Sequence, residues 1–147
     1  MIRLSSGLRN ALATSYGLSV MLAYGHIQVF TGTQPDTADN TPTGTLLGIV
    51  CTDGITPVVG DSAGGLEMQL TSPGVLQQYG NWTLKVAVTG VAGWWRFVWA
   101  AHDDGSASLF YPRIDGSVGD SLTLSNLVLG AGALIEDVSF KLTLPSQ

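Results

Sequence analysis

Charged residues are scarce in this sequence. Six Lys and Arg residues and eleven Asp and Glu residues make up 12% of its 147 residues, whereas soluble domains usually carry about 25%. So little charge is typical of a membrane-spanning protein or of a surface covered by other protein. A membrane-spanning helix needs an apolar run of about 18 residues or more, and the best run, Leu18–Tyr24, has seven and includes Ser19. We therefore expect no membrane span and a surface used for assembly contacts.

The sequence also lacks a basic cluster. Its formal net charge is −5 at pH 7, and nucleic-acid-binding domains normally present a basic patch to the phosphates. The four arginines are scattered among acidic residues: Arg3, Arg9, Arg96 and Arg113. Direct binding of DNA or RNA is therefore not expected.

Cysteine occurs only once, as Cys51, so no disulfide can form within the chain. Cys51 ends the apolar run Leu46–Cys51, where the simplest interpretation is a small buried hydrophobic side chain. A chain without disulfides suits synthesis in a reducing cytoplasm. Met1–Gly25 lacks the uninterrupted apolar stretch and the cleavage site of a secretory signal, so we expect none.

No arrangement of residues in the sequence indicates catalysis. The two histidines, His26 and His102, are far apart, and no Gly-x-Ser-x-Gly nucleophile motif is present. His102-Asp103-Asp104 could bind a divalent metal ion, but Asp-Asp-Gly is also what a tight turn requires, and we favour the turn. Asp115 and Asp120 stand beside glycines and are interpreted as turn residues too. The sequence predicts a protein that is not an enzyme and has no cofactor or metal.

Residues 1–25 differ in pattern from the remainder of the chain. Ser5 or Ser6 can cap a short helix, and apolar residues then recur at helical spacing, with an interruption at Gly17 and a stop at Gly25. This pattern predicts one or two short helices, or an extended arm, ahead of a single domain over residues 26–147.

From His26 onward the pattern is that of β-strands. Short runs with alternating or continuous apolar residues are separated by turns rich in glycine and proline. The predicted strands are His26–Thr31, Thr45–Thr52, Leu66–Leu70, Leu84–Val88, Gly93–Ala101, Ser108–Arg113, one or two within Ser121–Leu129, and Leu134–Leu144. A hairpin is expected at Asp103-Asp104-Gly105. The fold class is all-β, a single β-sandwich or jelly-roll domain.

The segment from Trp94 to Trp99 is the most unusual part of the sequence. In a strand, Trp95, Phe97 and Trp99 share one face, which we assign to the core, and Trp94 and Arg96 share the other. Three interpretations of that second face remain. It could also belong to the core, or it could form an aromatic platform for sugars. It could instead be a protein interface, for which Trp and Arg are favoured residues.

The candidate protein-interface residues are of two kinds. Trp94 and Arg96 are expected to project from the aromatic strand. Ile2, Arg3 and Leu4 belong to an N-terminal arm, Met1–Asn10, that could reach a neighbouring subunit.

Five stretches of the sequence carry a resemblance to a known group. They are Met1–Leu12, Ile27–Asp39, Gly44–Leu47, Gly93–Phe97 and Pro112–Gly119. Together they resemble small structural proteins of the virions of tailed bacteriophages. The resemblance implies a structural role and assigns no catalytic residue.

The resemblance implies a location in the virion and suggests capsid decoration, or cement, as the function. The expected partners are the major capsid protein or other virion proteins and further copies of the chain, as a homodimer or higher homo-oligomer. Two alternatives remain: a component of the tail, neck or fibre, and a carbohydrate-binding domain for receptor recognition.

Overall fold

The computed structural model describes residues 1–14, 16–57 and 62–145, and strands predominate among them. This confirms the prediction of an all-β fold. The helices are α1 (Ser6–Thr14) and α2 (Leu18–Met21). The strands are β1 (Arg3–Leu4), β2 (His26–Phe30), β3 (Leu46–Thr52), β4 (Glu67–Ser72), β5 (Val75–Tyr79), β6 (Trp82–Val86), β7 (Gly90–Val91), β8 (Trp94–Val98), β9 (Arg113–Ser117), β10 (Leu122–Thr123), β11 (Val128–Leu129), β12 (Leu134–Ile135) and β13 (Ser139–Thr143). Within the described part of the chain, neither helix has the length and apolar character needed to cross a membrane.

Two antiparallel sheets contain most of the strands. The larger sheet has seven strands in the order β1-β9-β8-β2-β3-β6-β12, and the smaller sheet has four in the order β10-β13-β5-β4. β7 and β11 form a separate two-stranded pair. The seven-stranded and the four-stranded sheet contribute side chains to one hydrophobic core, as in a β-sandwich.

An aromatic cluster joins the two sheets. Phe140 of β13 lies in the smaller sheet, and its ring centroid is 5.3 Å from that of Trp82 in β6. Phe140 also contacts Trp95 and Phe97 of β8, at centroid distances of 5.5 and 6.0 Å. All four side chains are buried, so the centre of the core is aromatic.

β13 shows the alternation that a strand with one buried face should have. Phe140 and Leu142 point into the core, whereas Ser139, Lys141 and Thr143 are exposed. The predicted strand Leu134–Leu144 is nevertheless two strands, because β12 pairs with β6 in the larger sheet and β13 pairs with β5 in the smaller one. Residues 136–138 carry the chain from one sheet to the other.

The predicted hairpin is only partly correct. β8 and β9 are antiparallel neighbours, as expected, but β9 begins at Arg113, and residues 108–112 are not a strand. Ser108 Oγ accepts hydrogen bonds from the backbone N–H groups of Phe110 and Tyr111, at 3.1 and 3.3 Å. Because a side chain satisfies these donors, the segment needs no strand partner there.

The turn expected within this connection is present. Asp103 Oδ1 accepts a hydrogen bond from the Gly105 N–H at 2.9 Å. Gly105 has a φ of +79°, in the left-handed region that glycine adopts without a steric penalty. The Asp-Asp-Gly sequence therefore forms the turn that the residue types predict.

The N-terminal segment contains two short helices, as one of the two predicted alternatives has it, and it packs on its own domain instead of extending as an arm. β1 pairs with β9 at the edge of the larger sheet, and α1 follows it directly. Ser5 caps α1, since its Oγ accepts a hydrogen bond from the Leu8 N–H at 3.1 Å. A Cβ atom on Gly7 would lie 2.3 Å from the Phe110 carbonyl oxygen, so glycine permits the close approach of α1 to the loop before β9.

Candidate functional site

Two long loops cover one end of the outer face of the larger sheet, the face that points away from the smaller sheet. They comprise residues 31–45 and 99–112 and are called here the covering loops. Trp94 lies under the first of them: its ring stacks on Phe30 at 4.5 Å, and its indole N–H donates to the Thr43 carbonyl at 3.1 Å. Trp94 is fully buried.

Arg96 forms a buried ion pair beside Trp94. Its Nε and Nη2 donate to the two carboxylate oxygens of Asp115 at 2.7 and 2.8 Å, and its Nη1 donates to the Asn40 carbonyl at 2.9 Å. The guanidinium carbon also lies 5.5 Å from the centre of the Trp94 ring. Burial raises the pKa of Asp115, while the hydrogen bonds and charge of Arg96 oppose that rise.

A second ion pair joins both covering loops to the sheet. Arg113, at the start of β9, donates to Asp103 at 2.7 and 2.6 Å. The same guanidinium donates to the Ala38 carbonyl at 3.3 Å and to the Ser106 carbonyl at 2.8 Å. Since Ala38 belongs to the first loop and Ser106 to the second, Arg113 fixes the two loops together.

These contacts correct the assignment of Trp94 and Arg96 as exposed interface residues. The alternation correctly places the two side chains on the face opposite Trp95 and Phe97, but the covering loops bury that face within the protein itself. Asp115 is likewise not a turn residue: it lies in β9 and is fully buried. Alternation assigns a side chain to a face, but it contains no information about what covers that face.

The N-terminal candidates lie close to this network. Arg3 is opposite Asp115 in the β1–β9 register, and its Nη1 donates to the Pro35 carbonyl at 2.9 Å. Ile2 and Leu4 are partly buried against the core. The structure therefore brings Arg3 together with the Arg96 region on the outer face, whereas Ile2 and Leu4 pack against the core.

An open aromatic cleft lies near the N-terminal helices. It has a volume of about 940 Å³, and its walls include Tyr16, Val20, Tyr24 and Trp99. Tyr24 has a φ of +61°, which is uncommon for an aromatic residue. Among the described residues, the Trp99 indole nitrogen is the one buried side-chain polar atom without a hydrogen-bond partner. Sequence reasoning missed the two tyrosines, which lie in predicted helical or loop positions.

Other apolar side chains are exposed on several parts of the surface. The tip of the second covering loop presents Leu109 and Phe110, of which Phe110 is 85% exposed. Val91 and Val128 lie directly opposite each other in the β7–β11 pair, and both are exposed. Further exposed examples include Leu46, Ile55, Leu70, Tyr79, Val88, Leu127, Leu134 and Leu144.

No group of three or more His, Cys, Asp or Glu side chains that could hold a metal ion occurs in residues 1–14, 16–57 and 62–145.

No protein-family model matches the chain, and no curated protein or solved structure is significantly similar to it.

Proposed function

We propose that this chain is a structural protein of a tailed-phage virion, most simply a decoration protein that stabilises the capsid shell. The observation that carries the proposal is the presence of separate apolar groups on a surface with few charges. Sixteen large apolar or aromatic side chains are exposed among the described residues. Scattered single residues of this kind are ordinary, and the adjacent pairs Leu109–Phe110 and Val91–Val128 are the parts of this surface best suited to contact with another protein.

The position of these groups suits a protein with several neighbours. A subunit at a junction of a shell contacts more than one protein, and many modest contacts together give strong attachment. Phe110 is the best single anchor, because it is an exposed aromatic side chain on a loop that the buried Arg113 ion pair fixes to the sheet. A fixed loop loses little conformational freedom when it docks.

Binding to particles that lack this protein tests the proposal. The purified chain should sediment with such particles, and Phe110→Ser should weaken binding at least about tenfold if Phe110 is a central anchor. Ala107→Ser, three residues away on the same exposed loop, is the matched control and should bind normally. Wild-type protein that does not bind particles would contradict the proposal.

Copy number separates decoration from the other virion role. Hundreds of copies per particle, measured on stained gels of purified virions, would support a position on the shell. A few copies would instead support a component of the tail, neck or fibre.

The aromatic cleft favours carbohydrate binding as a second candidate function. Its described lining has no charged side chain, and tyrosine and tryptophan rings can stack on the apolar faces of neutral sugars. Tyr24→Asn should abolish glycan-array binding while preserving the backbone, because asparagine tolerates positive φ. Tyr79→Asn, at an exposed tyrosine elsewhere on the surface, is the control. Absence of glycan binding by the wild-type protein would reject this function.

A further inference from the structure

The outer face of the larger sheet is open at the end formed by β3, β6 and β12. Directly opposed residues of neighbouring strands point to the same face. One cross-strand row on the outer face therefore consists of Asp115, Arg96, Gln28, Ile49, Lys85 and Leu134. The row begins at the buried ion pair beneath the covering loops and ends at exposed side chains, since Lys85 is exposed and Leu134 is 49% exposed.

A groove of about 410 Å³ lies on this open part of the outer face. Its apolar walls come from β3, from the loop that follows β3 and from the residues that follow β6: Leu46, Ile49, Cys51, Pro57, Ala87 and Val88. It shares no lining residue with the aromatic cleft near the N-terminal helices. A volume of this size, with a mostly apolar lining and a few polar groups, is typical of sites for small molecules.

Lys85 is the one charged side chain among the described residues that line the groove. Its Nζ donates a hydrogen bond to Thr56 Oγ1 at 3.0 Å, and an ammonium group has three donor hydrogens. Within the part of the chain that the structure describes, Lys85 forms no ion pair, and its cross-strand neighbours Ile49 and Leu134 are apolar. The groove therefore combines an apolar lining with a single cation that has donors available to a ligand.

We propose that this groove binds an amphipathic carboxylate, with an unbranched acyl chain against the apolar walls and the carboxylate at Lys85. The walls remove the chain from water, and the Lys85 ammonium can donate charge-assisted hydrogen bonds to the carboxylate oxygens. The charge of the site thus selects an anion, although the protein as a whole has a formal net charge of −5. The proposal does not depend on a role in the virion.

The backbone around the groove favours an acyl chain over an extended peptide as the occupant. β3 pairs with β2 and β6, and β6 pairs with β3 and β12, so both strands are hydrogen bonded on both sides. Beyond β6, the N–H groups of Ala87 and Val88 donate to the Leu47 carbonyl at 2.8 and 3.0 Å. A peptide in the groove would find few partners for its own N–H and C=O groups, whereas an acyl chain has no polar groups along its length.

Titration of the purified protein with decanoate, followed by nuclear magnetic resonance, tests the site. Decanoate combines an unbranched chain with a carboxylate, and it is added below the concentration at which it forms micelles. The amide signals of Gly48 and Ala87, which line the groove, should shift and saturate. The signal of Gly105, in the turn of the second covering loop, should not shift. Decanol, which has the same chain and no charge, measures the contribution of the apolar walls alone.

Two variants separate the roles of the charge and of the walls. Lys85→Met should lower the affinity for decanoate relative to decanol about fivefold, whereas Lys141→Met, at an exposed lysine of the other sheet, should leave this ratio unchanged. Ala87→Phe fills the groove from an exposed position and should weaken binding of both molecules at least about tenfold, with an unchanged melting temperature.

Three results would overturn the inference. They are the absence of saturable shifts in the wild-type protein, shifts spread over the whole chain, and an unchanged ratio of the two affinities in Lys85→Met. Binding of a short leucine-rich peptide with one glutamate in place of decanoate would overturn it as well, because the groove would then be a protein contact.

Discussion

Replacing Asp115 with asparagine should destabilise the protein strongly, although the two side chains have nearly the same shape. Asp115 accepts two hydrogen bonds from Arg96, and both residues are almost completely buried. Asparagine keeps one acceptor oxygen but removes the negative charge. The Arg96 guanidinium would then be a buried cation without its counter-ion.

The expected cost is large because the remaining charge cannot reach water without moving a covering loop. Removal of one partner from a buried ion pair usually costs about 3–5 kcal/mol, and the retained oxygen places Asp115→Asn near the lower value. For a chain of this length, about 3 kcal/mol corresponds to a decrease of roughly 6–12 °C in the melting temperature. Replacement of both partners by apolar residues, as in Arg96→Met with Asp115→Leu, should recover most of the loss.

Urea unfolding followed by tryptophan fluorescence measures these differences. Asp104→Asn is the matched control: Asp104 is exposed on the second covering loop, and asparagine keeps an oxygen that can accept the hydrogen bonds of Ser106, so the unfolding midpoint should change little. If Asp115→Asn changed the free energy of unfolding by less than about 1 kcal/mol, the ion pair would not be sealed from solvent. If the double variant Arg96→Met with Asp115→Leu were less stable than Asp115→Asn, the unpaired charge of Arg96 would not be the cause of the destabilisation.

Three further substitutions test other parts of the fold. Trp94→Ala should lower the free energy of unfolding by about 3–5 kcal/mol and leave the sedimentation behaviour unchanged; a changed oligomeric state with normal stability would contradict its burial. Ser5→Ala should cost about 2 kcal/mol in urea unfolding, because the Leu8 and Arg113 N–H groups lose their acceptor; a loss near zero would contradict the cap. Burial lowers the pKa of His26, so the neutral form stabilises the fold above about pH 6.5, and this contribution is lost as the pH falls. Unfolding at about pH 7.5 and about pH 5.5 should therefore show a smaller pH dependence for His26→Gln than for the wild type, and equal dependence would contradict the assignment.

Alternation in the sequence predicts strands best where one face meets the core. β13 follows this rule, with Phe140 and Leu142 buried between exposed polar residues. The predicted strand Leu66–Leu70 alternates equally well, yet most of the corresponding β4 is exposed, including Leu70, which lies opposite the buried Leu76 of β5. Alternation in the sequence distinguishes the two faces of a strand, but it does not show how much of each face other elements bury.

The buried ion pairs could not be predicted in this way, because they depend on register and on the covering loops. Arg96 and Asp115 are 19 residues apart in sequence, and only the β8–β9 register places them opposite each other. The strand Ser108–Arg113 was predicted with a tight hairpin, which would have given a different register. With the observed start of β9 at Arg113, a charged pair on neighbouring strands becomes apparent.

The covering loops connect the buried Arg96–Asp115 pair to Phe110, which permits a test of what holds Phe110 in position. Asp115→Asn should loosen the first covering loop, because Arg96 also binds its residue Asn40. The neighbouring Asp39 carbonyl accepts a hydrogen bond from the Ser108 N–H of the second loop at 2.8 Å, so the presentation of Phe110 should be loosened too. At a temperature where this variant remains folded, we expect weaker binding to virus particles, because Phe110 would have to be ordered during docking. The far-ultraviolet circular dichroism spectrum should be unchanged at that temperature, since the strands of both sheets remain folded. Loss of both properties would show that the variant unfolds as a whole. Retention of both would show that Phe110 does not depend on the buried network for its position.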